Sequence, residues 1–348
     1  MHRSGKVAWR SPSNIALIKY WGKRGYQLPA NPSVSLTLSK SYTETIVRYS
    51  INEKLQMPGI NFTFNRSEAP AFAKRVTDFV HTVAKLMPAL IHLEMQVDSV
   101  NSFPHSSGIA SSASSISSLV LCLCQINDEL EETKSDRPTF YQKASFLSRL
   151  GSGSACRSVY GSWVLWGKLE DIADSSDEQG LSIDHLIHPD FKVMYDAILI
   201  VNSSQKKVSS RTGQYLMDMN PYRDARYASA KKNAVRFIHA LKKGDERSFS
   251  AIVENEAASL HAMLLTSDPP VIMIRPESLH LIEKLKNFRI NSGLPFAYTL
   301  DAGPNIHILY PPKIREEMVQ FIHNELVTFC EEGKWIDDVA GPGPENIP

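Results

Sequence analysis

The sequence predicts an α+β protein of two lobes. Its 348 residues, of which 43% are hydrophobic, are enough to bury two cores of moderate size. Strand and helix patterns occur in separate runs instead of alternating one by one, which favours α+β over a doubly wound sheet. An acidic stretch with few large apolar residues at 170–180 precedes a change of pattern. We therefore expect a boundary near residue 190, with lobes at 1–190 and 191–348.

The elements of the first lobe follow from the spacing of apolar residues. Between Phe72 and Leu86 these residues recur at three- and four-residue steps, which predicts an amphipathic helix lying on a sheet. Alternating apolar and polar residues at 91–97 predict a half-buried strand. The uncharged, serine-rich segment 109–126 predicts a buried central helix, and a further strand is expected at 161–166.

The second lobe combines strands with longer helical patterns. Short apolar runs predict its strands, and a period near 3.6 predicts its helices. The expected strands are 197–201, 297–300 and 306–310, and the expected helices are 224–242, 246–265, 276–288 and 312–331. The tail 340–348, rich in glycine and proline, is expected to form no regular structure.

The composition argues against a polyanionic partner. Lysine plus arginine number 38 and aspartate plus glutamate 37, so no overall field attracts nucleic acid or an anionic membrane. No apolar run approaches the roughly 20 residues that span a bilayer, and the first residues form no apolar signal segment. The four cysteines lack the spacing of a zinc site or a disulfide scaffold, and we expect them to be reduced and buried. A cytoplasmic protein with a locally built site for a small anion is the expectation.

Two distant segments indicate phosphate chemistry. Pro104–Ala113 places Gly108 and small residues ahead of a helix, where backbone N–H groups and the helix dipole favour an anion. Ser11–Lys23 supplies Lys19 and Lys23 between apolar neighbours that anchor them. Taken alone, this second segment is also compatible with a strand end carrying ordinary surface lysines.

Three further clusters carry charge and hydroxyl groups. Gly151–Arg157 ends in an arginine that can hold a carboxylate or phosphate, although a plain tight turn is the alternative. Lys206–Arg211 combines cations with serines, and alone it is compatible with a solvated basic loop. Asp301, ahead of Gly303, is either a turn-capping residue or a carboxylate that orients a hydroxyl nucleophile. Together the clusters predict one site that neutralises a polyphosphate.

These segments together resemble the mevalonate diphosphate decarboxylase family of the GHMP kinase superfamily, over essentially the whole chain. The matching segments, in the same order, are Asn14–Lys23, Asn31–Ser35, Phe103–Pro104, Gly108–Ala113, Gly151–Arg157, Val208–Arg211, Leu260–Met263 and Asp301–Asn305. The resemblance implies a lobe like the second domain of ribosomal protein S5, then a ferredoxin-like lobe, with the active site in the cleft between them. It implies a step of isoprenoid biosynthesis in the mevalonate pathway. Mevalonate 5-diphosphate is phosphorylated by ATP on its 3-hydroxyl and decarboxylated to isopentenyl diphosphate, with release of ADP, phosphate and carbon dioxide.

The resemblance also implies roles for individual residues. Asp301 matches the acid that orients or deprotonates the 3-hydroxyl, Lys19 the lysine beside it, and Arg157 the arginine that holds the substrate carboxylate. The implied substrate-binding residues are Asn14, Tyr20, Lys23, Ser154, Ser209 and Arg211, and the implied ATP-binding residues are Gly108, Ser111, Ser112, Ser152 and Ser210. No metal ligand is predicted, and Mg2+ is expected to arrive with ATP. Homodimers are common in the family, so a homodimer is expected.

Two alternatives stay open at this point. The first is a GHMP small-molecule kinase or decarboxylase that acts on mevalonate or its 5-monophosphate. The second is a binding module that uses an S5-like surface for nucleic acid, which the balanced charge and the presence of Asp301 disfavour. The chain also departs from the usual family pattern at His105–Ser107 and in the serine-rich stretch 114–118.

Overall fold

The computed structural model describes residues 4–104, 109–133, 135–203 and 210–348, and for residues 210, 211, 212 and 214 it describes the backbone alone. Within these residues the predicted α+β fold is confirmed. A large sheet is built mainly from the first half of the chain and a four-stranded sheet from the second half. Helices pack on both sheets.

The first half of the chain contributes nine strands and three helices among the described residues. The strands are β1 (Ser4–Ile18), β2 (Lys23–Arg24), β3 (Leu28–Pro29), β4 (Ser33–Ile51), β5 (Gly59–Phe64), β6 (Ser67–Glu68), β7 (Leu93–Asn101), β8 (Trp163–Trp166) and β9 (Gly180–Ser182). The helices are α1 (Pro70–Ala84), α2 (Ser111–Leu130) and α3 (Arg137–Gly151). The predicted strand and the buried helix after it are thus present as β7 and α2, while residues 105–108 of the predicted phosphate loop lie outside the described residues.

The second half contributes five strands and five helices among the described residues. The strands are β10 (Tyr195–Leu199), β11 (Ala297–Thr299), β12 (Ile306–Tyr310), β13 (Trp335–Val339) and β14 (Glu345–Ile347). The helices are α4 (Ser210–Asp218), α5 (Arg223–Lys243), α6 (Glu246–Leu265), α7 (Pro276–Ser292) and α8 (Arg315–Phe321).

Two long antiparallel strands, β1 and β4, organise the large sheet. The sheet runs β14-β1-β4-β7-β5-β6, with β8 added to β4 and β9 to β8. The pairing of β1 with β4 extends from Ser4 opposite Ser50 to Ile18 opposite Val34, with register shifts between Pro12 and Asn14 and between Ala16 and Ile18. Because proline has no N–H for the ladder, the first shift falls where a hydrogen bond is missing. β1 ends at Ile18, so Lys19 is the first residue after the end of this strand.

Helix α2 is fastened to the large sheet through hydroxyl groups. Its small side chains let the helix approach β1 and β4 closely, and three buried pairs bridge the two layers. The pairs are Ser11–Ser117 with 2.5 Å between oxygens, Thr43–Ser114 with 2.7 Å and Thr45–Ser118 with 2.7 Å. The serine-rich stretch 114–118 therefore satisfies buried polar groups of the sheet.

The four-stranded sheet runs β11-β12-β10-β13 and is covered on both faces. Successive residues of β10 point to opposite sides, so Ile198 packs in a core with α5 and α6, while Ala197 and Leu199 pack with α7 and α8. The first of these cores also contains Leu17 and Leu36 of the large sheet. A continuous apolar core therefore joins the two halves of the molecule.

Two expectations for the end of the chain are wrong. The helix expected at 312–331 is regular only in α8, which continues into a wider π turn at Ile322–Leu326 and short 3-10 turns, with Ile322 and Leu326 fully buried. The tail expected to be irregular forms β14, which pairs antiparallel with β1. The open edge of β1 offers backbone hydrogen bonds that the proline-free segment Glu345–Ile347 satisfies. Ahead of β14, Gly341 allows the chain to pass close to β4, because a Cβ there would lie 2.3 Å from the carbonyl oxygen of Leu38.

Two further sequence expectations concern membranes and thiols. Among the helices of the described ranges, none has both the length and the apolar character that crossing a bilayer requires. The four cysteines carry free thiols and are buried, as expected.

Candidate active site

A buried ion pair joins the two lobes. Lys19 directly follows β1, and its Nζ lies 2.7 Å from Oδ1 of Asp301, which comes two residues after β11. The lysine side chain is 1% exposed and that of the aspartate 27% exposed. The ammonium is therefore shielded from water while part of the carboxylate is accessible, so the pair is open to solvent at Asp301.

The pKa of Lys19 reflects both its burial and its charged neighbours. Loss of water lowers this pKa below the usual 10.5, and the negative charges of Asp301 and Glu256 oppose the fall. The positive charge of Arg157 lowers the pKa further. The three residues predicted to be catalytic, Asp301, Lys19 and Arg157, therefore share one electrostatic environment.

Arg157 lies at the end of the 3-10 turn Gly153–Arg157 and is 2% exposed. Its Nε donates to Oδ1 of Asn14 at 3.3 Å, one Nη donates to the hydroxyl of Ser33, and the guanidinium lies 5.9 Å from the ring centre of Trp166. Burial lowers the pKa of Arg157, and the charge of Asp301 opposes that fall. The guanidinium is thus a fixed, desolvated cation with its planar fork held in one orientation.

Asn14, Tyr20 and Ser154 line the same region as Arg157. Nδ2 of Asn14 donates to the backbone oxygen of Ser154 at 3.4 Å. The Tyr20 ring packs on Trp166 with 4.6 Å between ring centres, and burial raises the pKa of its hydroxyl. A Cβ at Gly153 would lie 2.8 Å from that hydroxyl, so only glycine allows the turn to approach so closely. The structure brings these predicted substrate-binding residues together.

Lys23 lies half-buried on the short hairpin of β2 and β3. Two arginine contacts tie the hairpin to the rest of the protein, one from Arg149 outside it and one from Arg24 of β2 itself. Buried Arg149 donates from Nη1 to the backbone oxygen of Tyr26 at 2.7 Å, and Arg24 donates to Oδ2 of Asp177 at 2.8 Å. The segment that follows Tyr20 is therefore fixed in place, and with it the backbone of Lys23.

The N-terminus of α2 gathers three of the serines predicted to bind ATP. Ser111 and Ser112 occupy its first turn, and the hydroxyl of Ser112 lies 3.5 Å from that of Ser152, at the end of α3. Ser111 accepts a hydrogen bond from Nδ2 of Asn101 at 2.9 Å. Ala110 has φ of +35°, which turns the chain sharply into the helix. A helix N-terminus surrounded by hydroxyls is suited to a phosphate group.

Four predicted site residues cannot be placed in the same way. Gly108 and Ser209 lie outside the described residues. Only the backbone is described at Ser210 and Arg211, so the predicted contacts of their side chains lie outside the description as well.

The helix that carries Ser210 and Arg211 is itself close to the ion pair. In α4, Met217 packs in one apolar cluster with Trp21 and Ala302, the neighbours in sequence of the Lys19 and Asp301 segments. A Cβ at Gly213 would lie 2.5 Å from the Trp21 ring. Helix α4 is therefore seated on the segments that hold the Lys19–Asp301 pair.

A second buried ion pair was missed in the sequence. Glu256 of α6 accepts a hydrogen bond from the backbone N of Lys19 at 3.0 Å and is itself held by Arg226 of α5. Both helical segments were expected, but each of these residues looks like an ordinary surface charge. One signal in the sequence could have pointed to Glu256. It lies one helical turn before Leu260–Met263, a segment that carries the family resemblance.

The α+β fold brings lysine, arginine and aspartate together between two lobes. This arrangement defines an enzyme of the GHMP kinase type, which handles small phosphorylated anions. Comparisons of this chain with known protein families and relatives agree with that class. Models for the diphosphomevalonate decarboxylase-like N-terminal domain and the mevalonate 5-diphosphate decarboxylase C-terminal domain match residues 11–177 and 197–340. The diphosphomevalonate decarboxylase of Danio rerio is 30% identical over 345 residues, which cover 89% of this chain and 81% of the relative.

Solved structures give the same result. The mevalonate diphosphate decarboxylase from Enterococcus faecalis, studied for mevalonate diphosphate-mediated ATP binding, superposes with a TM-score of 0.81 at 28% identity over 99% of each chain. A complex of MDDEF with MVAPP, AMPPCP and magnesium has the same TM-score, identity and coverage. The chain belongs to the diphosphomevalonate decarboxylase family.

Proposed function

We propose that this chain converts mevalonate 5-diphosphate and ATP to isopentenyl diphosphate, carbon dioxide, ADP and phosphate. Family membership across both lobes supports the reaction, and the related complex with MVAPP, AMPPCP and magnesium supports the ligands. The observation that carries the proposal is the pair of Lys19 and Asp301. It presents one accessible carboxylate beside a buried ammonium, with the guanidinium of Arg157 in the same environment.

Asp301 acts on the 3-hydroxyl of the substrate. Its accessible oxygen accepts the hydrogen bond of the hydroxyl and takes the proton as the alcohol oxygen attacks the terminal phosphorus of ATP. Lys19 donates a hydrogen bond to Oδ1 of the carboxylate, which holds the carboxylate in one orientation. The ammonium also offsets the negative charge that gathers around the transferred phosphoryl group.

Arg157 acts on the substrate carboxylate. When the 3-phosphate leaves with its bonding electrons, positive charge develops on the tertiary carbon. The electron pair of the bond to the carboxylate then forms the double bond, and carbon dioxide departs. A carboxylate held by the fixed guanidinium stays ionised and aligned through this step, so the contribution of Arg157 is positioning and electrostatics.

The remaining residues bind phosphate, by charge from Lys23 and Arg211 and by hydrogen bonds from the others. We assign the substrate diphosphate to the wall formed by Asn14, Tyr20 and Ser154, together with Lys23, Ser209 and Arg211. We assign the ATP phosphates to the N-terminus of α2, with Ser111, Ser112, Ser152, Gly108 and Ser210. Bringing a diphosphate, a carboxylate and ATP together is strongly repulsive at low dielectric without such groups.

The donor set around these phosphates fits a metal ion carried by ATP. Over the described ranges, no three or more His, Cys, Asp or Glu side chains form a group that could hold a metal ion. The serine hydroxyls of the α2 N-terminus are oxygen donors of the kind that Mg2+ accepts beside phosphate oxygens. When bound, Mg2+ would supply positive charge between the phosphates.

We also propose a cytoplasmic homodimer whose lobes divide near residue 190, at 1–190 and 191–348. Free buried thiols are consistent with a reducing compartment. The gap between the two matched family domains, 177 to 197, contains the proposed boundary. Sedimentation equilibrium tests the assembly, and a monomer at micromolar concentration would exclude the dimer.

A coupled assay on three substrates tests the reaction. ADP and carbon dioxide are measured separately with mevalonate, its 5-phosphate and its 5-diphosphate. We expect equal amounts of both products, and only with the 5-diphosphate. ADP with a stable phosphorylated product and no carbon dioxide would identify a kinase, and carbon dioxide from the 5-phosphate at equal kcat/KM would identify the monophosphate enzyme.

A further inference from the structure

A buried ion pair lies behind Lys19, away from the accessible side of Asp301. The side chain of Glu256 is 0% exposed and that of Arg226 3% exposed. The guanidinium is bidentate, with Nη1 donating to Oε1 at 2.9 Å and Nη2 to Oε2 at 2.6 Å. Taking two charges out of water costs free energy that apolar residues of similar volume would not cost, so stability alone does not explain this pair.

The pair is connected to the active site through the backbone. Oε2 of Glu256 also accepts the hydrogen bond of the Lys19 backbone N at 3.0 Å, and Oε1 accepts one from Nδ2 of Asn233 at 2.8 Å. Donors on α5 therefore fix both oxygens of a carboxylate on α6. That carboxylate in turn fixes the first residue after β1, from which the lysine side chain extends to Asp301.

Among the described residues, charged groups on several elements act on the Lys19 ammonium. They are Asp301 after β11, Glu256 of α6 with Arg226 of α5 beyond it, Arg157 of the turn 153–157, and Asp196 of β10. Burial disfavours the ammonium, while Asp301 and Glu256 favour it. Glu256 thus interacts with Lys19 in two ways: it accepts a hydrogen bond from the Lys19 backbone N, and its negative charge attracts the Lys19 ammonium.

We infer that Glu256, held by Arg226 and Asn233, is a positioning residue for the reaction: it fixes the backbone of Lys19 and places a negative charge near an ammonium that is shielded from solvent. The inference rests on the proposed role of Lys19 in phosphoryl transfer. Glu256 itself touches no substrate atom in this assignment. It acts through Lys19 alone.

The test measures the pKa of Lys19 directly, in the whole protein and without substrate. Protein labelled with 13C at lysine Cε is titrated by NMR, and the Lys19 resonance is the one missing from Lys19→Arg. Glu256→Gln removes the charge at constant volume, in the native background and again in Arg226→Met. The double variant in the second background leaves neither charge of the buried pair unpaired, and it is compared with the native protein as well as with Arg226→Met, so a comparison survives if a single variant fails to fold.

In both backgrounds we expect Glu256→Gln to lower the pKa of Lys19, because a negative charge near the ammonium is lost. The alkaline limb of kcat/KM should move to lower pH by the same amount, with kcat reduced about tenfold. An unchanged Lys19 pKa in both backgrounds overturns the inference at Glu256. A lowered pKa with an unmoved limb overturns it for a different reason, because the proposed role of Lys19 in the reaction then fails.

Discussion

Replacing Asp301 with asparagine removes one charge and one base at nearly constant size. The amide oxygen can still accept the hydrogen bond from Nζ of Lys19, which is 2.7 Å from the native carboxylate. The ammonium, however, loses a negative partner. Because burial lowers the pKa of Lys19 and Asp301 opposes that fall, the pKa drops further in this variant. Both consequences act on the phosphoryl-transfer step.

The structure sets the expected magnitudes. Loss of a positioned general base costs about 10²–10⁴-fold in turnover, or about 2.7–5.4 kcal/mol of barrier. Substrate KM should be unchanged or lower, because a negative charge has been removed beside a polyanion. Breaking a fully buried ion pair costs about 3–5 kcal/mol. Here Asp301 is 27% exposed and Glu256 still faces Lys19, so the loss of unfolding free energy should be smaller, about 1–2 kcal/mol.

Steady-state release of ADP and carbon dioxide, together with denaturant unfolding, separates these effects. Asp190→Asn is the matched control, since its side chain is 54% exposed and pairs with His188 outside the site. We expect the control to retain native turnover. Turnover of Asp301→Asn within tenfold of the native enzyme, with normal folding, would refute the role of Asp301 as base.

Three further predictions concern the surrounding cations. Arg157→Ala should lower carbon dioxide release more than ADP release, since it loosens the substrate carboxylate, and equal losses would make Arg157 a general binding residue. The kcat/KM of the native enzyme should fall as pH rises through the pKa of Lys19, which lies below 10.5, because the ammonium is then lost. In Lys19→Arg, whose guanidinium stays charged, the residual activity should fall only at higher pH, and a fall at the same pH as in the native enzyme would contradict this. Arg149→Met should raise substrate KM about tenfold at constant kcat, because the hairpin carrying Lys23 loses its anchor, and an unchanged KM would exclude that function.

Elements with a regular apolar period were among those predicted from the sequence. Helix α1 and strand β7 each bury one face, so their periods of 3.6 and 2 are visible in the residue order. Strand β1 was not recognised along its length, because its last eight residues are buried on both faces and show no alternation. Helix α8 and strand β14 depend on contacts with distant segments, and for that reason the helix was predicted too long and the strand was not predicted.

The site divides in a similar way. Lys19, Arg157 and Asp301 lie in short, recognisable sequence segments, and the fold brings the three residues together, as the family resemblance implied. Arg226 and Glu256 have no such segment, and a charged residue in a helical pattern is normally on the surface. Their 3% and 0% side-chain exposure shows only once α5 and α6 are packed beneath β1.

The sequence by itself determined the fold class, the family, and the residue types that meet phosphate, because these depend on order and spacing within short windows. Tertiary structure alone decided which charges are buried and which are accessible. Lys19 meets Glu256 across a separation of 237 residues and Asp301 across 282. Burial, and with it the electrostatic state of Lys19, is a property of those long-range contacts, since desolvation depends on what packs around a group in space.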